Sequence, residues 1–226
     1  SPKGGSGKTI VAANLAAGLA RRARDEVVLL DLDAPYGDVS SALGVVPEHT
    51  IADAVAVLDE LDADVLPGFL TRHESGLYAL CAPPHLAPGE VIPPAAFIVI
   101  IGLLAHRFDY LVIDTPAGLN EPTLAALDLS TDVVLIADMD VPSVRDLRKT
   151  LDALDALGMR APARHLVRNR ANSRVRIEKE AVAAVAGISI AVEVPSSRDV
   201  PVSLNEGRPL VLAKPRSPAG RGLAGL

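Results

Sequence analysis

Short, unbroken apolar runs recur along this chain, and they leave few architectures open. Val27-Val28-Leu29-Leu30-Asp31-Leu32-Asp33 is the clearest of them, closed by acids. A strand with one face in water alternates apolar and polar residues, whereas a continuous run is what a parallel strand covered on both faces requires. Tyr110–Asp114, Asp132–Ala137, His165–Arg168 and Ile190–Val194 repeat the pattern, and Leu77–Ala82 is a shorter candidate. Between the runs lie segments of helical period: Lys8–Arg22, ending in a basic pair that suits a helix C-terminus, and Pro93-Pro94 through about Arg107. Glu121–Leu129, Ser143–Leu157 and Ile177–Ala186 follow the same rule. Thr50–Leu61 reads as a helix too, with Thr50 as N-cap and Asp53 three residues on. Residues 62–90, punctuated by Pro67-Gly68, Pro83-Pro84 and Pro88-Gly89, are expected to be irregular apart from the run at 77–82. Strands alternating with helices predict an α/β fold, a mostly parallel sheet with helices on both faces joined by right-handed crossovers. No repeat, low-complexity tract or linker interrupts residues 1–226, so one domain is expected.

Composition narrows what such a domain does. Apolar residues make up 49% of the chain with no Trp, so the core is aliphatic. A net charge of −6 argues against a surface that grips nucleic acid. Arg145, Arg148 and Lys149 cluster on one predicted helix, but acids intervene, and a solvated face is expected there. Cys81 is the only cysteine, which excludes a disulfide framework or a Cys-rich metal site and points to a reducing, cytoplasmic compartment. The five histidines show no ligand spacing. The longest apolar run, Ala95–Ala105, falls short of the ~20 residues that span a bilayer, so a buried helix and no transmembrane segment are expected.

Lys3-Gly4-Gly5-Ser6-Gly7-Lys8-Thr9 carries the chemistry. Glycines lacking Cβ let the backbone curl so that successive N–H groups point at phosphate oxygens, and the helix starting near Lys8 adds its positive end. Lys8 supplies a point charge for the β- and γ-phosphates, and the Thr9 hydroxyl is placed to ligate Mg²⁺. The strict G-x-x-x-x-G-K-[ST] pattern departs at Pro2, which stands where the first Gly belongs. Such a loop hangs from the C-terminal end of a strand; no strand precedes it here, so a first strand and a longer polypeptide upstream of Ser1 are expected. Asp31, Asp33 and Asp114 end apolar runs, and in an open α/β sheet those ends share the carboxyl edge where ligands bind.

These motifs resemble the MinD/ParA group of dimerising P-loop ATPases. Lys3 through Thr9 is similar to their deviant Walker A loop, Asp31-Leu32-Asp33 to their second motif, and Leu111-Val112-Ile113-Asp114-Thr115-Pro116 to their Walker B strand and switch. Residues 31–39 and 195–201 look specifically like the CpaE/TadZ branch, which serves Flp/Tad pilus assembly and has septum-related relatives; Pro2 fits that branch. The resemblance implies Mg-ATP binding and slow hydrolysis, with two ATP molecules sandwiched in a homodimer and pilus-assembly or septal proteins as partners. It implies that Lys3 crosses to the partner's phosphates and that Asp33 positions the attacking water. Asp114 would hold Mg²⁺ through water with Thr9, and Asp31 would support the metal shell. Gly4, Gly5, Ser6, Gly7 and Lys8 would cradle the phosphates; Asn169, Pro195 and Ser196 would contact adenine. Residues 116–120 resemble a γ-phosphate-sensing switch loop. Ile10 stands where many relatives carry a second Thr. The nitrogenase iron-protein and arsenite- or tail-anchor-type relatives rely on further cysteines, and bacterial tyrosine kinases on a C-terminal tyrosine cluster; neither is present. The tail, residues 215–222, is too rich in Gly and Pro for the amphipathic membrane helix that ends MinD itself. A nucleotide-binding scaffold with little hydrolysis and a DNA-partitioning ATPase are the alternatives.

Overall fold

The apolar runs form strands sandwiched between two layers of helices. The computed structural model describes residues 4–34, 37–85, 92–138, 140–159, 163–171 and 179–226. The strands are β1 (Val27–Asp31), β2 (Thr71–Arg72), β3 (Tyr78–Leu80), β4 (Tyr110–Asp114), β5 (Asp132–Ala137), β6 (Ala163–Asn169) and β7 (Ile190–Val194). The helices are α1 (Lys8–Ala20), α2 (Val39–Leu43), α3 (Ile51–Ala56), α4 (Pro94–Arg107), α5 (Glu121–Leu129), α6 (Val141–Ala156), α7 (Lys179–Ala186), α8 (Asp199–Asn205), α9 (Leu210–Ala213) and α10 (Pro218–Leu223). Among the described residues the strands fall into two groups, ordered β2-β3-β1-β4 and β5-β6-β7. All pairs are parallel except β2 with β3. The α/β fold with a mostly parallel sheet and helices on both faces is therefore as expected.

Strand period decides the layers. Val27 and Leu29 point toward α1 and α2, while Val28 and Leu30 point toward α3 and α4. All five residues of β1 are buried, which is why its run is unbroken. In the second group, Ile136, Val167 and Val194 meet α9, α10 and the Val11/Ala17 side of α1, and Leu135, Ala137 and Leu166 meet α6 and α7. One helix, α1, thus touches both groups. Its alanines 12, 13, 16 and 20 lie on β1 and β3, and Ala17 on the β5–β7 group.

Several elements depart from the sequence expectation. The helix expected over 50–61 breaks into α3 and a 3₁₀ turn, Leu58–Glu60, because Val57 leaves helical backbone at φ −116° and ψ 27°. Asp53 accepts the Thr50 N–H at 2.7 Å, as a helix start there demands. The irregular stretch 62–90 contains a 3₁₀ turn, Leu66–Phe69, and the antiparallel strand β2. α1 stops at Ala20, two residues before the basic pair ends. The tail is not helix-free: Ser217 accepts the Gly220 N–H at 3.0 Å and Pro218 opens α10. Ala219, Gly220 and Leu223 of that turn are buried. The 95–105 run lies within α4, with Phe97, Ile100 and Leu104 buried. Among the described residues no helix is long and apolar enough to cross a membrane. Arg148 meets Asp152 at 2.6 Å along an exposed face of α6, as a solvated surface would have it.

One buried polar side chain ties α1 to the C-terminal helices. Asn14 is 2% exposed; its Nδ2 donates to the Ile10 carbonyl at 2.8 Å and its Oδ1 accepts the Val211 N–H at 2.9 Å. Removing the acceptor leaves a buried N–H unpaired, at a cost of roughly 1–3 kcal/mol. Asn14→Ala is expected to lower the unfolding free energy by that amount, seen by circular dichroism as a lower urea midpoint with an unchanged m-value. An unchanged midpoint would show that water replaces the side chain.

Candidate functional site

The carboxyl ends of β1, β4, β6 and β7 and the N-terminus of α1 meet at one edge. Gly5 and Gly7 adopt φ of 72° and 94°, and Gly7 is the N-cap of α1 with no side chain capping the first turn. The orphan N–H groups of that turn, which itself contains no acid, form an anion seat. Gly7 has a second reason to lack a side chain: a Cβ there would sit 2.7 Å from Asn169 Nδ2. Ser6 is 2% exposed, and its hydroxyl has no partner among the described residues. A buried, unpaired hydroxyl inside such a loop fits a ligand oxygen.

The acids expected at this edge are brought together. Asp31 and Asp114 end neighbouring parallel strands in register, 1% and 3% exposed. Burial, then the Asp114 charge, pushes the Asp31 carboxyl up to about 7, against two lowering backbone hydrogen bonds. Burial pushes Asp114 up to about 6, opposed by the Thr9 hydroxyl and the Lys8 ammonium. Thr9 therefore lies against Asp114, and Lys8 within its field. Asp33 is half-buried; desolvation raises its pKa while Lys8 opposes. Two carboxyls held high beside a hydroxyl and an anion seat suit a cation shared with phosphate oxygens, because a hard divalent ion offsets both buried charges. Thr9 and Asp114 would hold Mg²⁺. Among the described residues no three His, Cys, Asp or Glu converge as a cage, consistent with an ion that takes part of its shell from substrate and water.

Asp31 has a further task. Its Oδ1 accepts the Asp33 N–H at 3.0 Å and its Oδ2 the Val39 N–H at 3.3 Å, so it fastens both ends of the loop that carries Asp33. Gly37 passes so close that a Cβ would collide with the Asp31 carboxylate. Cys81, beside Asp31, has its thiol pushed up to about 12 by burial and is inert as a nucleophile.

The expected base-side residues sit at the adjoining strand ends. Asn169 ends β6 in register with Val194, which places Pro195 and Ser196 next to it. Asn169 Nδ2 donates to the Ser6 carbonyl at 2.8 Å. Two residues escaped the sequence reading. Arg170, at φ 50°, donates to the Gly5 carbonyl at 3.1 Å and pairs with Asp138 at 3.1 Å, tying the phosphate loop to the end of β5. Asp138 follows an apolar run as Asp31 and Asp114 do, and Arg170 follows Asn169 directly; those were the available signals. In the 116–120 loop, Asn120 caps α5 by accepting the Thr123 N–H at 3.1 Å. Lys3 lies outside the described residues.

The chain is similar to known proteins over most of its length. The family model for the CobQ/CobB/MinD/ParA nucleotide binding domain matches residues 1–210. The septum site-determining protein MinD of Thermotoga maritima is 27% identical over 220 residues, spanning 94% of this chain and 79% of that protein. The structure of the cell division ATPase MinD of Pyrococcus furiosus is 27% identical with a TM-score of 0.85, covering 100% of this chain and 93% of that one. The Mg-ADP complex of the septum site-determining protein MinD from Pyrococcus horikoshii has a TM-score of 0.87 at 24% identity, covering 100% and 90%, a likeness of fold alone. With a phosphate loop, paired strand-end acids and 210 matched residues, the chain belongs to the CobQ/CobB/MinD/ParA nucleotide-binding domain family.

Proposed function

We propose that this protein is a Mg-ATP-dependent dimerising switch that hydrolyses ATP slowly and positions a pilus-assembly or septal machine. The observation that carries it is the convergence of Lys8, Thr9, Asp33 and Asp114 at the loop and its neighbouring strand ends. Lys8 and the first-turn N–H groups of α1 bind and orient the phosphates. Asp33, free to face solvent on one side, orients the attacking water, and Asp31 fixes the loop from which it does so. Thr9 and Asp114 would hold Mg²⁺, which would supply positive charge to offset that of the phosphates. Asn169, Pro195 and Ser196 lie where the adenine would rest. Septum site-determining relatives support the septal role, and the likeness of residues 31–39 and 195–201 to CpaE/TadZ supports pilus assembly.

Lys8→Ala removes charge-assisted hydrogen bonds worth roughly 1.5–3 kcal/mol, so ATP affinity is expected to fall about ten- to a hundredfold. Calorimetry showing unchanged affinity would sink the assignment of the loop.

The raised carboxyls set the sign of a pH dependence. Asp31 and Asp114 bind protons in the folded state up to about 7 and about 6, against an ordinary 3.8. The native state therefore holds protons that the unfolded state releases, and their contribution to stability is lost as pH rises from about 4 to about 7. Without nucleotide or metal, urea unfolding is expected to weaken by on the order of 2–4 kcal/mol between pH 5 and 8. Saturating Mg-ADP should flatten the profile, because the ion compensates both charges. A flat profile in the free protein would mean that the pair is not strained.

Lys3 and Asp33 separate the switch from a scaffold. If Lys3 acts across a two-fold interface, Lys3→Ala retains ATP binding but loses ATP-dependent dimerisation and hydrolysis. Asp33→Ala removes the group that orients water, so ATP stays bound and the dimer accumulates. Light scattering with and without Mg-ATP reads both. Two variants that both remain monomeric, or both dimerise like the parent, would mark a nucleotide-binding scaffold instead.

A further inference from the structure

Two short helices leave the site from different strand ends and meet again where they stop. α2 starts at Val39, whose N–H donates to Asp31 Oδ2 at 3.3 Å, and Oδ1 of the same carboxylate accepts the Asp33 N–H at 3.0 Å. α8 starts at Asp199, just beyond Pro195 and Ser196. Its head is pinned from two sides: Ser197 Oγ accepts the Asp199 N–H at 3.1 Å, and Lys214 Nζ donates to Asp199 Oδ1 at 2.6 Å. One helix is thus tied to Asp33 through Asp31. The other continues the loop on which the base would rest.

The far ends touch backbone to backbone. Gly44 closes α2 at φ 64°, and Gly207 turns the chain after α8 at φ 61°. A Cβ on Gly44 would stand 2.6 Å from the Gly207 carbonyl oxygen, and one on Gly207 would collide with the Gly44 Cα and stand 2.8 Å from its nitrogen. A left-handed turn does not by itself demand such a contact. Gly158 turns at φ 74° after α6 with nothing among the described residues within 4 Å of a Cβ there. Beside the contact, Leu204 of α8 packs on the cluster that contains Val39, Ala42 and Leu43. Helices joined only by side chains absorb small shifts as rotamer changes, whereas backbone pressed on backbone has no such freedom and passes a shift on.

We infer that the Gly44–Gly207 contact is a positioning clasp that joins α2 and α8 into one body, so that filling the base side of the site sets Asp33 through Asp31. The two glycines act through the helix ends they join. The inference rests on the proposed seating of adenine by Asn169, Pro195 and Ser196, and it does not depend on how fast ATP is hydrolysed. Its consequence is that a polyphosphate without a base fills the anion seat but leaves α2, and with it Asp33, unset.

Mg-ADP and Mg-pyrophosphate separate the two halves of the site, since both fill the anion seat and only ADP reaches the base side. Hydrogen exchange followed by mass spectrometry should show the amides of 202–206 and of 42–45 exchanging about tenfold more slowly with ADP than with pyrophosphate. In Gly207→Ala the added Cβ wedges the backbones apart, so this difference should persist at 202–206 and vanish at 42–45. Gly158→Ala, which carries the same left-handed strain without the contact, should keep both. Gly207→Ala should also bind ATP within about threefold of the parent while its single-turnover rate at saturating ATP falls about tenfold. Should that variant fail to fold, Leu204→Ala, which strains no backbone, should at least halve the difference at 42–45. A difference at 202–206 without one at 42–45 in the unaltered protein overturns the clasp and leaves the base-side reading standing, as does one at 42–45 that survives Gly207→Ala, or Leu204→Ala where that is the variant that folds. An unchanged single-turnover rate in Gly207→Ala overturns the link to Asp33, and a parent that hydrolyses no ATP removes the hydrolysis reading while the exchange measurements still decide the clasp. No difference at 202–206 in the unaltered protein removes the base-side reading, and the clasp with it.

Discussion

The structure depends on how closely α1 lies on the sheet. A helix carrying larger side chains at 12, 13, 16, 17 and 20 would stand off from the strands; alanines let its axis approach both β1 and the β5–β7 group. That approach places the helix N-terminus, and with it Gly7, Lys8 and Thr9, level with the carboxyl ends of the strands. Asn14 then locks the helix to α9 from the other side. The anion seat is therefore a consequence of packing. The glycine loop gives it shape, but the alanine stripe gives it position.

The acids at the same edge work against stability. Two carboxyls on adjacent strands, each nearly excluded from water, are held above their ordinary range chiefly by burial, to which the Asp114 charge adds at Asp31. A protein selected for stability alone would place hydroxyls or apolar groups there. Retaining both acids makes sense where a cation and a polyanion arrive together, since each then neutralises a charge the other leaves exposed. Asp31 shows how one carboxylate serves the site and the fold at once: its hydrogen bonds to Asp33 and Val39 shape the loop while its charge adds to the field at the edge.

Most of this was legible because it is periodic. The bounds of β4, α5, β5 and β7 coincide with the apolar pattern, since buried strands and amphipathic helices are read directly from where side chains must point. What escaped detection is held by contacts rather than by period. α2 is a five-residue turn, too short for a period to register, and β2 is two residues defined only by its partner. α8, α9 and α10 are too short for a period to register; α10 carries a Pro and two Gly, and its burial with α9 against β7 and α1 outweighs that low propensity. The site divides the same way. Lys8, Thr9, Asp31, Asp33 and Asp114 are named by spacing, but Arg170 acquires its role only because β6 ends beside the loop.

That last contact shows how the loop is held. A phosphate loop must keep its N–H groups convergent without a ligand to organise them, and the glycines that permit the curl also leave it conformationally loose. From the described residues two side chains restrain it: Asn169 holds the Ser6 carbonyl and Arg170 the Gly5 carbonyl, the latter itself anchored on Asp138. Both grip carbonyls, and a carbonyl held outward leaves the adjoining N–H groups turned inward to the anion. Both also come from the β5–β7 side, whereas Asp31 and Asp114 come from the β1–β4 side. The loop thus spans the two halves of the sheet, and its geometry is only as fixed as the distance between them.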